Sequence, residues 1–152
     1  MREITYRRLI NSDLDTFIKL RINQLKEEGA EETFDLSPML HSYYNKHMEY
    51  KTFISWVAIE NGEIIGTSGI SFVIKPPYYS NPTGKSGLLS SMYVKKEYRR
   101  MGIARKLLNK VVNEAKVYGC GVVQITASDM GVFLYTDFGF KKNNNFMEYK
   151  FW

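Results

Sequence analysis

Apolar positions along this chain follow two rhythms, one near 3.6 residues and one near two. Ile4–Arg8 reads as a short strand. Leu14, Ile18, Ile22 and Leu25 then recur at helical spacing, with Ser12 or Asp13 where a cap belongs and Gly29 at the end. Ser37-Pro38 opens a second helix with proline in its first turn, running to about Tyr50. Thr52–Glu60 is strand-like by its β-branched and aromatic content, Asn61-Gly62 is a two-residue hairpin signal, and Glu63–Ile74 is the return strand. Lys75–Gly87 holds three of the four prolines and reads as a loop, followed by a strand over Leu88–Val94. Ile103, Leu107, Leu108, Val111, Val112 and Ala115 line one face of a helix that Gly119 ends. Val122–Thr126 is a buried-type strand, Ser128 caps a short helix to about Thr136, and Phe146–Trp152 alternates like a final strand.

The order is therefore β-α-α-β-β-β-α-β-α-β, a mixed α/β fold around one twisted, mostly antiparallel sheet flanked by helices. Residues 88–126 form a strand–helix–strand unit of the kind that closes a parallel crossover. No repeat, low-complexity segment or linker interrupts residues 1–152, so one domain is expected.

Between the strand at Leu88–Val94 and the next helix stands Arg99-Arg100-Met101-Gly102-Ile103-Ala104-Arg105. The first N–H groups of a helix have no partner inside it, and the helix dipole adds partial positive charge there. Phosphate oxygens suit such an end. Gly102 and Ala104 leave room for close approach, and three arginines add charge. The plainer reading of the same residues is a solvated basic helix start with an incidental glycine.

Composition narrows the classes. A net charge of +5 with pI near 9.2 admits a nucleic acid, but equally a polyanionic small molecule such as a coenzyme. No recognised nucleic-acid motif is present, so no nucleic-acid partner is expected. No apolar run approaches a membrane span of roughly 20 residues, and no signal-peptide-like stretch opens the chain. A single cysteine, Cys120, has no internal disulfide partner, which fits a cytoplasmic setting.

Arg-x-x-Gly-x-Ala after an apolar strand resembles the coenzyme A pyrophosphate loop of the GNAT superfamily of acyl-CoA-dependent N-acyltransferases. "MYVKKEYRRMGIARKLL" is similar to that family's strand–loop–helix. "ASDMGVFLYTDFGF" is similar to its later helix, with Leu134-Tyr135 followed by Gly139-Phe140. The resemblance covers nearly the whole chain. It implies acetyl-CoA as co-substrate and direct attack by a primary amine of a small molecule, peptide or protein, with no acyl-enzyme. It places the pantetheine arm along Met92, Tyr93 and Val94, and the pyrophosphate on Arg99, Arg100, Met101, Gly102, Ile103, Ala104 and Arg105. Tyr135 becomes general acid or hydrogen-bond donor to the departing thiolate. The alternative from another class is a non-catalytic acyl-CoA-binding sensor of the same fold.

Some positions depart from the family pattern. Ser128 and Gly131 stand where many members have Asn and Ala; Ser128 either bonds the pantetheine arm or only caps the helix. The family often has a carboxylate on the strand before the loop, whereas here the stretch is Leu89-Ser90-Ser91-Met92. An ordinary amine of pKa roughly 10 must lose a proton before attack. Water held by Ser90, or a carboxylate from Glu27–Glu32, Glu31 among them, is a candidate acceptor. Arg21 lies on the apolar stripe of the first helix. It is either a stripe-edge arginine with its head in water or a clamp for a substrate carboxylate.

Other signals fail. Gly84-Lys85-Ser86 lacks the earlier glycine of a phosphate-binding loop, since position 79 is Tyr79. Asp137-Phe138-Gly139 has no accompanying kinase catalytic loop. His41 and His47 fall on different helix faces, so no metal site is expected. Cys120 sits between glycines with no evident base. The apolar end Tyr149–Trp152 either joins a homodimer or completes the domain's own sheet.

Overall fold

The computed structural model describes residues 3–143 and 145–151. Its elements are β1 (Thr5–Arg8), α1 (Leu14–Glu27), α2 (Ser37–Glu49), β2 (Phe53–Ile54), β3 (Trp56–Glu60), β4 (Glu63–Ile74), β5 (Lys85–Val94), α3 (Ile103–Tyr118), β6 (Val122–Gln124) and α4 (Val132–Phe138). The sheet runs β1-β3-β4-β5-β6, with the short β2 also paired to β4. Every pairing is antiparallel except β5 with β6, the parallel pair that α3 connects. The fold is the expected mixed α/β arrangement.

Alternation along the strands sorts two cores. Val57 and Ile64 join Phe17, Ile18, Tyr44 and Phe53 under α1 and α2. Their neighbours Ala58 and Ile65 join Ile103 and Leu107 under α3. Successive strand residues point to opposite faces, so each strand serves both layers. Leu107, Leu108 and Val111 are fully buried, which is where the apolar face of α3 was expected to lie. The β3–β4 hairpin turns on Asn61 (φ 49°) and Gly62 (φ 77°), both left-handed as a twist-matched two-residue turn requires.

Three expectations are corrected. The strand over Thr52–Glu60 is broken at Ser55, whose hydroxyl donates to the Ser68 carbonyl while Ser68 Oγ accepts the Trp56 N–H at 3.0 Å. The two hydroxyls satisfy the backbone where the ladder is interrupted. The short helix expected from Ser128 starts at Val132, after a turn in which Ser128 Oγ accepts the Gly131 N–H. The expected strand over Phe146–Trp152 is absent: Phe146 to Phe151 pair with no strand, and Phe146, Met147, Tyr149 and Phe151 are exposed. Trp152 lies outside the described residues. The β-like alternation is there, but no sheet edge has taken it up.

Candidate active site

Strand β5 outruns its parallel neighbour. Pairing with β6 stops at Leu88↔Gln124, while pairing with β4 on the other side continues to Val94. Among the described residues no strand therefore pairs with Leu89–Val94 on the β6 side, and the sheet opens there. The β4–β5 register also shifts between Thr67 and Gly69, opposite Ser91, which is left-handed at φ 57°. Such a bulge bends the strand and re-aims its edge groups. Two carbonyls of this stretch are capped by side chains: Met92 O accepts from Gln24 Nε2 at 3.2 Å, and Val94 O from Arg99 Nε at 2.7 Å.

Past Val94, a short turn over Lys96–Tyr98 leads to Arg100 (φ 63°) and Gly102 (φ 80°), and α3 begins. No side chain caps that end. The first helical bond joins Lys106 N–H to Gly102 O, so Ile103, Ala104 and Arg105 have no intrahelical acceptor. Alternating left-handed residues at a helix start turn successive N–H groups into an anion-binding concavity. A Cβ on Gly102 would meet nothing within 4 Å. The concavity is therefore open to solvent-side approach at Gly102.

The arginines divide in a way their sequence did not indicate. Arg99 is committed to protein partners: Val94 O, Glu27 at 3.4 Å, and the face of Tyr93. Arg105 bonds Asp137 at 2.6 Å and lies over Phe138, joining α3 to α4. Arg100 is exposed beside the cradle.

Tyr135 is 7% exposed, in the core beside α3, with its ring edge-on to Phe140. Burial, with a smaller contribution from the negative charge of Glu28, pushes its hydroxyl from 10.0 up to about 12. The phenol is thus held as a proton donor at any physiological pH. Cys120 is also pushed up by burial, the opposite of an activated nucleophile.

On the α1 side, Arg21 Nη1 donates to Gln24 Oε1 at 3.1 Å, and Gln24 Nε2 donates to both Glu28 Oε1 and Met92 O. Glu31 lines a cavity of about 390 Å³ with Ile22, Leu25, Phe34 and Asp35. Ser90 is half-buried on β5 opposite Gly69. The structure thus brings Arg21, the Met92 stretch and Tyr135 to one region, and sets Glu31 in the adjoining cavity. Sequence reasoning missed Gln24. Its only signal was a polar residue three positions after Arg21 on the inner stripe of α1, now seen to be buried.

The sheet thus opens along β5, and that strand leads through a short turn to the uncapped start of α3. The model of the acetyltransferase (GNAT) family matches residues 16–140, and the chain belongs to that family. It is similar to a predicted acetyltransferase from Clostridium acetobutylicum, crystallised with acetyl-CoA, at 32% identity over 97% of this chain and 96% of that one (TM-score 0.94). It also superposes on a GCN5-related N-acetyltransferase from Ralstonia eutropha JMP134 (22% identity, 97% and 99% covered, TM-score 0.89). A third fold relative is glucosamine-6-phosphate N-acetyltransferase from Arabidopsis thaliana (20% identity, 98% and 99% covered, TM-score 0.76).

Proposed function

We propose that this protein transfers the acetyl group of acetyl-CoA to a primary amine of a small molecule or of a peptide or protein, by direct attack of the amine. One observation carries the reading: the unpaired edge Leu89–Val94 leads straight into the open, uncapped cradle at Gly102–Arg105. The 32% identical relative crystallised with acetyl-CoA supports it.

Each group has a role in this reading. The N–H groups of Ile103, Ala104 and Arg105, with the exposed guanidinium of Arg100, hold the pyrophosphate. Arg99 acts at one remove, fixing the loop to β5 through Val94 O. The edge of Met92, Tyr93 and Val94 takes the pantetheine arm in the manner of an added strand. N–H and C=O of one strand residue share an edge, so with the Met92 carbonyl capped by Gln24 the Met92 N–H remains to polarise the thioester carbonyl. Tyr135 donates its proton to the departing thiolate. Ser128 already accepts from Gly131 N–H, which favours a role in shaping the turn before α4 over direct contact with the coenzyme. Coenzyme A supplies the activated acetyl group and a thiol leaving group.

Calorimetric titration with acetyl-CoA, followed by a thiol-release screen, tests the reading. The panel contains an aminoglycoside, glucosamine-6-phosphate, a polyamine, an amino acid and a lysine peptide. Micromolar binding with turnover of at least one amine is expected. Binding with no turnover would favour the sensor alternative; no binding by the folded protein would sink both.

A further inference from the structure

The strand before the cradle offers no carboxylate, so the proton that leaves the attacking ammonium needs another acceptor. Five acidic residues follow one another closely at the end of α1 and in the loop after it, and the structure separates them. Glu27 is tied to Lys96 and Arg99. Glu32 is paired with Lys26. Glu31 and Asp35 line the outer cavity. Among the described residues Glu28 is in no ion pair, and it is joined to β5 through Gln24, whose Nε2 bridges Glu28 Oε1 and Met92 O at 3.2 Å each. Gln24 is itself oriented by Arg21 and is 7% exposed, so the bridge is held on a rigid helix face rather than on a loop.

We infer that Glu28 is the base that deprotonates the acceptor amine, and that Gln24 is the positioning residue that holds its carboxylate beside Met92. The inference rests on the acetyltransferase reading and assigns the step which that reading leaves without a residue. Glu28 is exposed, so an incoming ammonium reaches it from solvent, and Gln24 occupies only one of its oxygens. Met92, to which Gln24 links it, packs against the cluster that holds Tyr135. The charged and titratable groups on the elements around it are Arg21, which bonds Gln24, the Lys26–Glu32 and Arg99–Glu27 pairs at the end of α1, Tyr44 on α2 near Arg21, Tyr93 on β5 near Glu27, and Tyr135 on α4, which feels its charge.

The protons balance. The ammonium gives one proton to Glu28. The neutral nitrogen forms a C–N bond to the acetyl carbonyl carbon as the C–S bond breaks. The thiolate takes the Tyr135 proton, and the nitrogen's second proton restores the tyrosine. Glu28 then releases its proton to water, leaving amide, thiol and one free proton.

The test uses the amine that the screen selects, with Glu28→Gln, Glu28→Asp, Gln24→Met and, as control, Glu63→Gln. Acetyl-CoA affinity and thermal midpoint are measured beside kcat/KM from pH 6 to 10. Glu28→Gln should bind acetyl-CoA like wild type yet lose roughly 10²- to 10⁴-fold in kcat/KM at pH 7. Its rate should climb about tenfold per pH unit toward the amine's own pKa, so that the gap closes near pH 10. Glu28→Asp should recover part of the loss. Gln24→Met should show a smaller loss that does not add to that of Glu28→Gln in the double variant. A Glu28→Gln profile parallel to wild type overturns this assignment alone. Absence of wild-type turnover overturns the acetyltransferase reading and this inference with it.

Discussion

Two substitutions at Gly102 separate backbone geometry from charge. The residue is left-handed at φ 80°, and a Cβ there has no protein atom within 4 Å. Gly102→Ala therefore meets no protein atom and loses only conformational freedom, at about 1–2 kcal/mol. In a chain of this size that lowers the thermal midpoint by roughly 2–8 °C. Gly102→Glu carries the same strain. Its carboxylate also sits at the uncapped N-terminus of α3, which the helix dipole favours by about 0.3–1 kcal/mol. The two variants should thus melt within a few degrees of each other. Toward a pyrophosphate they differ sharply. Two unit charges about 5 Å apart repel by about 0.8 kcal/mol in water and about 3 kcal/mol near a protein surface. With two phosphate charges the penalty is at least about 1.5 kcal/mol, or tenfold in affinity. Calorimetric titration of both variants with acetyl-CoA at low salt should show the Glu variant at least tenfold weaker than the Ala variant, with the gap narrowing as salt rises. Equal affinities at matched stability would refute the placement of the pyrophosphate at this helix start.

Further outcomes follow from the same geometry. Tyr135→Phe should retain acetyl-CoA binding and lose kcat at pH 7, with the deficit shrinking above the thiol's ordinary pKa of about 8.5, where a thiolate leaves without a proton; pH-dependent thiol-release kinetics check this. Because the Tyr135 pKa is raised from 10.0 to about 12, its protonated form stabilises the fold fully below pH 10, and that contribution is lost as pH climbs through 12. Denaturant titrations of wild type and Tyr135→Phe should therefore diverge only in that alkaline window. Gly131→Ala puts a Cβ 2.9 Å from Tyr135 Cε2 and should displace the ring, lowering kcat more than acetyl-CoA affinity. Leu107→Ala empties a fully buried site between α3 and the sheet and should cost about 2–5 kcal/mol by denaturant unfolding.

Legibility in the sequence followed how local the determining physics is. The Asn61-Gly62 turn could be read because two left-handed residues in sequence are enough to specify it. α3 could be read because its apolar face, Ile103 to Ala115, repeats over three turns. Phe146–Trp152 misled because alternation states which faces a strand would present, not whether an edge exists to receive it. The break at Ser55 was hidden because a strand-like composition runs through it, while the hydroxyls that permit it, Ser55 and Ser68, are far apart in sequence. At the site, Gly102 and Tyr135 stood in recognisable strings, and the structure sets Gly102 at the start of α3 and Tyr135 buried on α4. Arg99 was read as phosphate charge, yet its guanidinium reaches back to Val94 O and across to Glu27. Gln24 was invisible because its meaning depends on Met92, which only the folded sheet brings beside it.

The halted pairing of β5 with β6 also bears on how the protein behaves when idle. A strand edge with unpaired backbone groups is a template for other chains, and evolution usually covers, charges or shortens it. Here, among the described residues, the edge over Leu89–Val94 is open on the β6 side, with Gln24 and Arg99 blocking two of its carbonyls. A coenzyme lying along it would shield the remainder while adding about 2.7 kcal/mol of stability at one hundred times its dissociation constant. Preparations stripped of coenzyme should then cloud on storage sooner than those kept with it, so that shelf life becomes a readout of occupancy.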